Sequence, residues 1–268
     1  MNLASAGAAW LFCPADRPER FAKAAAVADV VILDLEDGVA AADRPAARKA
    51  LQQTPLDPAR TVVRVNPAGT DEQDSDLAAL ADTAYTTVML AKTESAAQVT
   101  ALAPRQVVAL VETPRGAVFA AEIAAAEPTV ALMWGAEDLV AAIGGGSSRR
   151  SDGRYRDVAR HVRSTVLLAA SAFGRAALDA VYLDIGDLAG LKDEALDAAA
   201  VGFDATVCIH PSQIAVVRDA YRPAEDQIAW ARRVLAAAED ERGVFAFEGQ
   251  MVDSPVLRHA EAILRRAD

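Results

Sequence analysis

Cysteine and histidine are scarce, at two and three in 268 residues. Cys13 and Cys208 each sit inside an apolar run, without the close spacing of a disulfide framework or a zinc site. A reducing, cytoplasmic location is therefore expected. No run of about 18 uncharged apolar residues occurs, which excludes a transmembrane helix. The apolar opening, residues 3–12, has no preceding Lys or Arg and is followed at once by Asp16, Arg17, Glu19 and Arg20, so no secretion signal is expected. Positive charge is also in short supply, with 27 Lys and Arg against 38 Asp and Glu and a net charge of −11. That balance opposes general attraction to nucleic acid or to a membrane surface, and any anionic substrate must be gripped locally.

Hydrophobic residues at 53% and charged residues at 24% describe a chain able to bury a large core. Short β-branched or aromatic runs alternate with alanine-rich amphipathic stretches, the pattern of parallel strands joined by helices. Strands are expected at residues 10–13, 30–33, 61–66, 87–90, 107–111, 130–134, 180–183 and 206–209. Helices are expected at 18–27, 44–53, 74–82, 95–102, 116–125, 158–173 and 193–201. Asp16 and Asp43 are candidate caps ahead of Pro18 and Pro45. The first strand leads into CPADRPER, which lacks the glycine fingerprint of a dinucleotide fold, and eight units predict a (β/α)8 TIM barrel of class α/β.

The barrel core is expected to occupy residues 1–222. A closing helix at 225–239 and a last helix at 256–266 belong to a C-terminal extension, residues 223–268, with the break RGVFAFEGQMVDSP between the two helices. That tail is either a packing appendage or a lid over a site.

Barrel active sites lie at the C-terminal ends of the strands. Here those ends carry Asp34, Glu36, Asp37 and Gly38, then Arg64 and Asn66, Lys92, Glu112, Gly135 to Asp138, and His210. Glu112 and Asp138 follow consecutive strands, about 4.8 Å apart in a sheet, so their carboxylates could meet over the mouth and hold Mg2+. The alternative pairs one of the two carboxylates with Arg115 and leaves the other as a helix cap. Arg64, inside VVRVN, offers a planar fork for a carboxylate or enolate oxygen, or for a salt bridge to Glu36 or Asp37. Lys92 could form a Schiff base only if desolvated, and a carboxylate-rich rim favours an electrostatic role. GGGSSRR, residues 144–150, reads as a flexible loop, with Arg149 and Arg150 solvated, and His210 as a residue that orients the chain.

Together WLFCPADRPERFAKA, VILDLEDGVA, VVRVN, VETPRGA, MWGAEDL, CIHPSQI and FEGQMVDSP resemble the Mg2+-dependent HpcH/HpaI aldolase/citrate lyase family, especially its stand-alone citrate lyase beta-subunit-like and malyl-CoA lyase-like members. The resemblance covers nearly the whole chain, with the blocks in family order. It implies a carbon–carbon lyase that cleaves or forms a 3-hydroxyacyl-CoA thioester such as malyl-CoA or citramalyl-CoA, giving acetyl-CoA and a small keto acid such as pyruvate or glyoxylate. It implies Mg2+ on Glu112 and Asp138 and substrate contact by Arg64. Backbone amides at Gly135, Ala136 and Glu137 would hold the keto acid carboxylate, with Glu36, Asp37 and Lys92 behind them. Asp253 in MVDSP would act as acid/base, on a tail that crosses to a neighbour's barrel in a homotrimer. Where the family usually has Gly-Lys before IHP, this chain has Ala205 and Thr206. Malate synthase-like condensation with thioester hydrolysis, aldol cleavage without CoA, and a non-catalytic regulatory subunit are the alternatives.

Overall fold

The computed structural model describes residues 6–239, 241 and 243–267. The start of the apolar opening at 3–5, and Arg242 at the head of the predicted break, lie outside them. The chain divides into two compact units, Met1–Val217 and Arg218–Asp268.

The first unit is a closed barrel of eight parallel strands in sequence order. They are β1 Ala9–Pro14, β2 Val30–Asp34, β3 Thr61–Val65, β4 Thr87–Leu90, β5 Gln106–Val111, β6 Thr129–Trp134, β7 Ala176–Asp179 and β8 Ala205–Cys208. Around them run α1 Phe21–Val27, α2 Arg44–Gln53, α3 Asp71–Ala81, α4 Ala96–Thr100, α5 Pro114–Val118, α6 Ala120–Ala125, α7 Ala136–Ile143, α8 Asp157–Ala172 and α9 Leu188–Val201. The boundary between the units falls within α10 Pro211–Tyr221.

Side chains alternate across a strand, so every second residue faces the barrel axis. The inward set is apolar in its lower layers: Trp10, Val30, Ile32, Val62, Met89, Val108, Leu110, Ala131, Met133, Leu178, Ala205 and Val207 form one buried cluster. Burial of each large aliphatic side chain there contributes about 1.5–3 kcal/mol relative to exposure. This packed interior leaves only the rim for chemistry.

Seven strands lie within one or two residues of the expected bounds, and β7 does not. The β-branched stretch 180–183 lies beyond the strand, with Leu183 exposed. Ala176, Ala177 and Leu178 pair with β6, and Leu178 and Asp179 with β8. Closure of the barrel over the inward Leu178 outweighs the higher strand propensity of the residues that follow. Two helices went unanticipated, α7 and α10, both short and starting directly at the rim. The expected helix 116–125 is two, α5 and α6, meeting at Phe119. Neither expected cap functions as one. Asp43 precedes α2 without a side-chain capping bond, and Asp16 pairs with Arg17 at 3.2 Å.

The second unit contains α11 Glu225–Glu239, β9 Phe245–Phe247, β10 Gln250–Val252 and α12 Ser254–Ala267. Its core is Ala231, Val234, Val252, Ala260 and Ile263. The expected break is an antiparallel hairpin, with Phe247 opposite Gln250 and Glu248-Gly249 at the turn. Among the described residues no helix is long and apolar enough to cross a membrane.

Candidate active site

Polar residues at the mouth continue the inward parity of the core. Asp34 follows Ile32, Arg64 follows Val62, Glu112 follows Leu110, and Gly135 follows Met133, each two residues on. Register then decides who meets whom. Asp34 pairs with Arg64 across β2 and β3, and Val111 with Trp134 across β5 and β6.

Arg64 grips Asp34 with two parallel bonds, Nε to Oδ1 at 2.6 Å and Nη2 to Oδ2 at 2.5 Å, while Nη1 reaches Glu36 Oε2 at 3.1 Å. Its guanidinium lies 4.6 Å from the centre of the Phe12 ring. The expected salt bridge to Glu36 is present, but the main partner is Asp34 and not Asp37. Burial alone would lower the Arg64 pKa, and Asp34 and Glu36 outweigh it, holding the cation above its ordinary range. Asp34 also accepts the backbone N–H groups of Glu36 and Gly38, each at 2.9 Å.

A Cβ on Gly38 would lie 2.2 Å from Asp34 Oδ2, a buried carboxylate that cannot yield without releasing Arg64. Gly38→Ala is therefore expected to destabilise the protein by about 1–3 kcal/mol, as overpacking does. It should also lower turnover by about tenfold through Arg64. Urea denaturation and steady-state kinetics check both, and unchanged kinetics would detach Asp34 from the function of Arg64.

Lys92 follows β4 with a left-handed backbone, φ +50°, unusual for a residue with a side chain. Its N–H donates to Glu112 Oε1 at 3.0 Å. Its ammonium group bonds Glu36, lies 2.9 Å from Asp37 Oδ2, and approaches Asp138 Oδ1 at 3.5 Å. Burial would lower the Lys92 pKa, but Glu36 and Asp37 dominate and raise it, so Lys92 stays a cation and is poorly suited to a Schiff base. Burial likewise raises Glu36. In Asp37, burial is outweighed by Lys92 and the pKa falls.

Glu112 is buried and does not pair with Arg115, which lies over the Phe119 ring. Burial and the neighbouring Asp138 push its pKa up to about 8. Its carboxylate packs against Gly135, where a Cβ would lie 2.8 Å from Oε2. Asp138 stands in the first turn of α7. Gly135 therefore serves the site by making room. Its N–H is bonded to the Val111 carbonyl at 3.1 Å and cannot cradle a carboxylate, a correction to its expected role. Ala136 and Glu137, at the start of α7, have amides with no intrahelical acceptor. The Glu137 side chain accepts from Ser148 Oγ at 2.5 Å.

These groups line one cavity of about 370 Å³. Phe12, Leu110, Met133, Trp134, Val181 and Leu183 form its apolar walls, and Asp34, Asp37, Arg64, Glu112, Glu137 and Asp138 its polar side. Two expectations need revision. Asn66 is structural, bonded to Asp76 and the Leu35 carbonyl. The 144–156 segment is anchored, with Ser148 buried, an Arg149–Tyr155 bridge, and Arg149 paired with Glu194 and lying 3.8 Å from the centre of the Tyr155 ring. Asp253 belongs to the second unit, where its carboxylate accepts from Val256 N–H at 3.4 Å ahead of α12. His210 matches its orienting role, bonded through Nδ1 to Ser212 Oγ at 2.7 Å.

Sequence reasoning missed the buried pair of Trp134 and Asp179 at the ends of β6 and β7. The indole donates to Asp179 at 2.6 Å. Asp179 was hidden by the misplaced strand, since a carboxylate ending β7 would have joined the rim set.

A family model for HpcH/HpaI aldolase/citrate lyase matches residues 8–211. A citrate lyase subunit beta-like protein of Mycobacterium tuberculosis is 77% identical over 267 residues, spanning 100% of this chain and 98% of that protein. The crystal structure of protein CitE from Mycobacterium tuberculosis, in complex with magnesium, acetoacetate and coenzyme A, superposes with a TM-score of 0.95 at 76% identity, covering 98% of this chain and 99% of that one. The mitochondrial citramalyl-CoA lyase of Homo sapiens is 34% identical, across 87% of this chain and 77% of its own length.

Proposed function

This chain belongs to the HpcH/HpaI aldolase/citrate lyase family and is a carbon–carbon lyase, and we propose that it cleaves a 3-hydroxyacyl-CoA thioester, reversibly, into acetyl-CoA and a small keto acid with Mg2+ as cofactor. The observation that carries this reading is the pairing of Glu112 and Asp138 beside Arg64 on one small cavity. A relative binds magnesium, acetoacetate and coenzyme A, the parts such a reaction needs.

The residues fit the metal. Glu112 is buried, and burial and Asp138 raise its pKa by more than Arg64 and Lys92 lower it, so a further cation between the two carboxylates would favour its charged form. Glu112 and Asp138 line one cavity and offer two carboxylates, which suits Mg2+, an ion that commonly takes one or two of them and leaves its other positions to water and substrate. When bound, the ion supplies Lewis-acid polarisation of the substrate oxygens.

The chain's own residues do the rest. In cleavage the substrate hydroxyl gives its proton to the Asp253 carboxylate, the O–H electron pair forms the keto C=O, and the electron pair of the broken carbon–carbon bond moves onto the thioester as an enolate. Arg64, fixed by Asp34, stabilises that oxygen charge. Amides at the start of α7 orient the keto acid carboxylate, and Lys92 balances the surrounding acids. Asp253 delivers the proton that turns the enolate carbon into the acetyl methyl group. Residues 223–268 act as the lid, reaching over a neighbour's barrel in a homotrimer.

Incubation with malyl-CoA, citramalyl-CoA and 3-hydroxy-3-methylglutaryl-CoA, with Mg2+ and mass-spectrometric detection, tests the reaction. Absence of acetyl-CoA from all three overturns it. Asp253→Asn preserves shape while removing the base, so turnover is expected to fall about 100-fold with Mg2+ and CoA affinity intact. Mixing Asp253→Asn chains with Arg64→Ala chains should restore activity that neither has alone. Absence of rescue despite verified subunit exchange would place Asp253 in its own barrel or outside catalysis.

A further inference from the structure

β4 ends at Leu90, and the turn that carries the chain away from the barrel is fixed by its neighbours on both sides. Ala91 N–H donates to the Val65 carbonyl of β3 at 3.3 Å, and Thr93 N–H to the Leu110 carbonyl of β5 at 2.9 Å. Thr93 Oγ1 closes the turn on the Leu90 carbonyl at 2.8 Å. The Thr93 carbonyl packs against Gly116 in α5, where a Cβ would lie 2.3 Å from it. Ala91 and Thr93 are fully buried.

Lys92 stands between these anchors, and its N–H joins neither neighbouring ladder. With φ at +50° that N–H turns instead to a side chain, Glu112 Oε1, at 3.0 Å. A positive φ is uncommon for a residue with a Cβ, and it persists only where the surroundings over-determine it, as the bonds of Ala91 and Thr93 do here. Glycine or asparagine would make the same turn with less strain. The ammonium group, bonded to Glu36 and lying 2.9 Å from Asp37 Oδ2 and 3.5 Å from Asp138 Oδ1, gives a reason for lysine at this position. What the left-handed backbone supplies is the direction of the N–H. The two oxygens of Glu112 are thereby placed separately, Oε1 by Lys92 and Oε2 by the close packing of Gly135. A metal-binding carboxylate depends on such partners, because an unheld side chain must be ordered each time the ion binds.

We propose that Lys92 is a positioning residue for the metal site, and that its left-handed main chain, through the N–H donated to Glu112 Oε1, holds that carboxylate in place for Mg2+. The inference rests on Glu112 and Asp138 being the metal pair and deepens that reading.

The test is Mg2+ titration by calorimetry on the full chain, with thermal unfolding measured alongside. An amide-to-ester replacement between Ala91 and Lys92 removes the N–H and keeps the ammonium group. It should weaken Mg2+ binding by about 10- to 100-fold, the scale of losing a hydrogen-bond partner behind a metal ligand. Lys92→Gly and Lys92→Val both lose the ammonium group, so comparing one with the other cancels its effect beside Asp138. Glycine adopts a positive φ freely and a β-branched residue does not, so Lys92→Val should bind Mg2+ at least about tenfold more weakly than Lys92→Gly. A turn with a structural role alone would lower the melting temperature of the ester and of Lys92→Val without moving Mg2+ affinity. Equal affinity in the ester and the unmodified protein overturns the inference, and that comparison stands even if Lys92→Val does not fold. Equal affinity in Lys92→Gly and Lys92→Val overturns it too, since the backbone conformation would then have no part in holding Glu112. If the unmodified protein does not bind Mg2+, the metal reading falls and this inference with it, whereas Mg2+ binding that none of these changes alters defeats the inference alone.

Discussion

Glu112→Gln and Asp138→Asn are each expected to lower Mg2+-dependent turnover by at least about 1,000-fold, equivalent to about 4 kcal/mol of lost transition-state stabilisation. The amide variants are preferable to alanine at position 112. Glu112 Oε1 accepts the Lys92 N–H, and Gln keeps an oxygen for that bond while removing the charge. Packing against Gly135 is also retained, so the circular dichroism spectrum should not change. Either substitution leaves one charged carboxylate where the ion would take two, so Mg2+ affinity should fall in each variant, and calorimetric titration reads that directly. Full activity after EDTA treatment, or unchanged Mg2+ affinity in both variants, would sink the metal assignment.

Arg64→Lys is expected to reduce kcat and kcat/KM together by about 100- to 1,000-fold, the scale of losing one preorganised oxyanion donor. Lysine keeps the charge but cannot reproduce the fork, in which two nitrogens are committed to Asp34 and a third reaches Glu36. A lysine ammonium would be drawn to one carboxylate and leave the ring of Phe12 uncovered. A rise in KM with kcat preserved would make Arg64 a ground-state binding residue. Near-normal values of both would make it a brace for Asp34 and the β2–β3 rim.

Much of the site was legible because a strand's side-chain period is two. Once Ile32, Val62 and Leu110 are read as inward, Asp34, Arg64 and Glu112 follow at the mouth without any tertiary information. Lys92 was legible by position, though its left-handed backbone was not, because nothing local in LAKT requires it. The fit of Gly135 against Glu112 was invisible for a similar reason: it depends on the neighbouring strand's register. Gly135 and Ala136 looked alike in MWGAEDL, and only the barrel ladder, through the Val111 carbonyl, separates the committed amide from those that start α7.

The sequence by itself determined the eight β/α units, the carboxylate-rich rim with its single strand-borne arginine, and the existence of a tail beyond the barrel. Each depends on periodicity, composition or strand-end position, which neighbouring residues along the chain are enough to set. Tertiary structure alone decided that β7 is Ala176–Asp179, that Arg64 pairs first with Asp34, that Asn66 belongs to Asp76, and that the glycine- and arginine-rich segment is anchored through Ser148 to Glu137 and through Arg149 to Glu194. Those outcomes rest on contacts between residues 10 to 45 positions apart, where closure of the barrel and the pairing of buried charge outweigh local propensity.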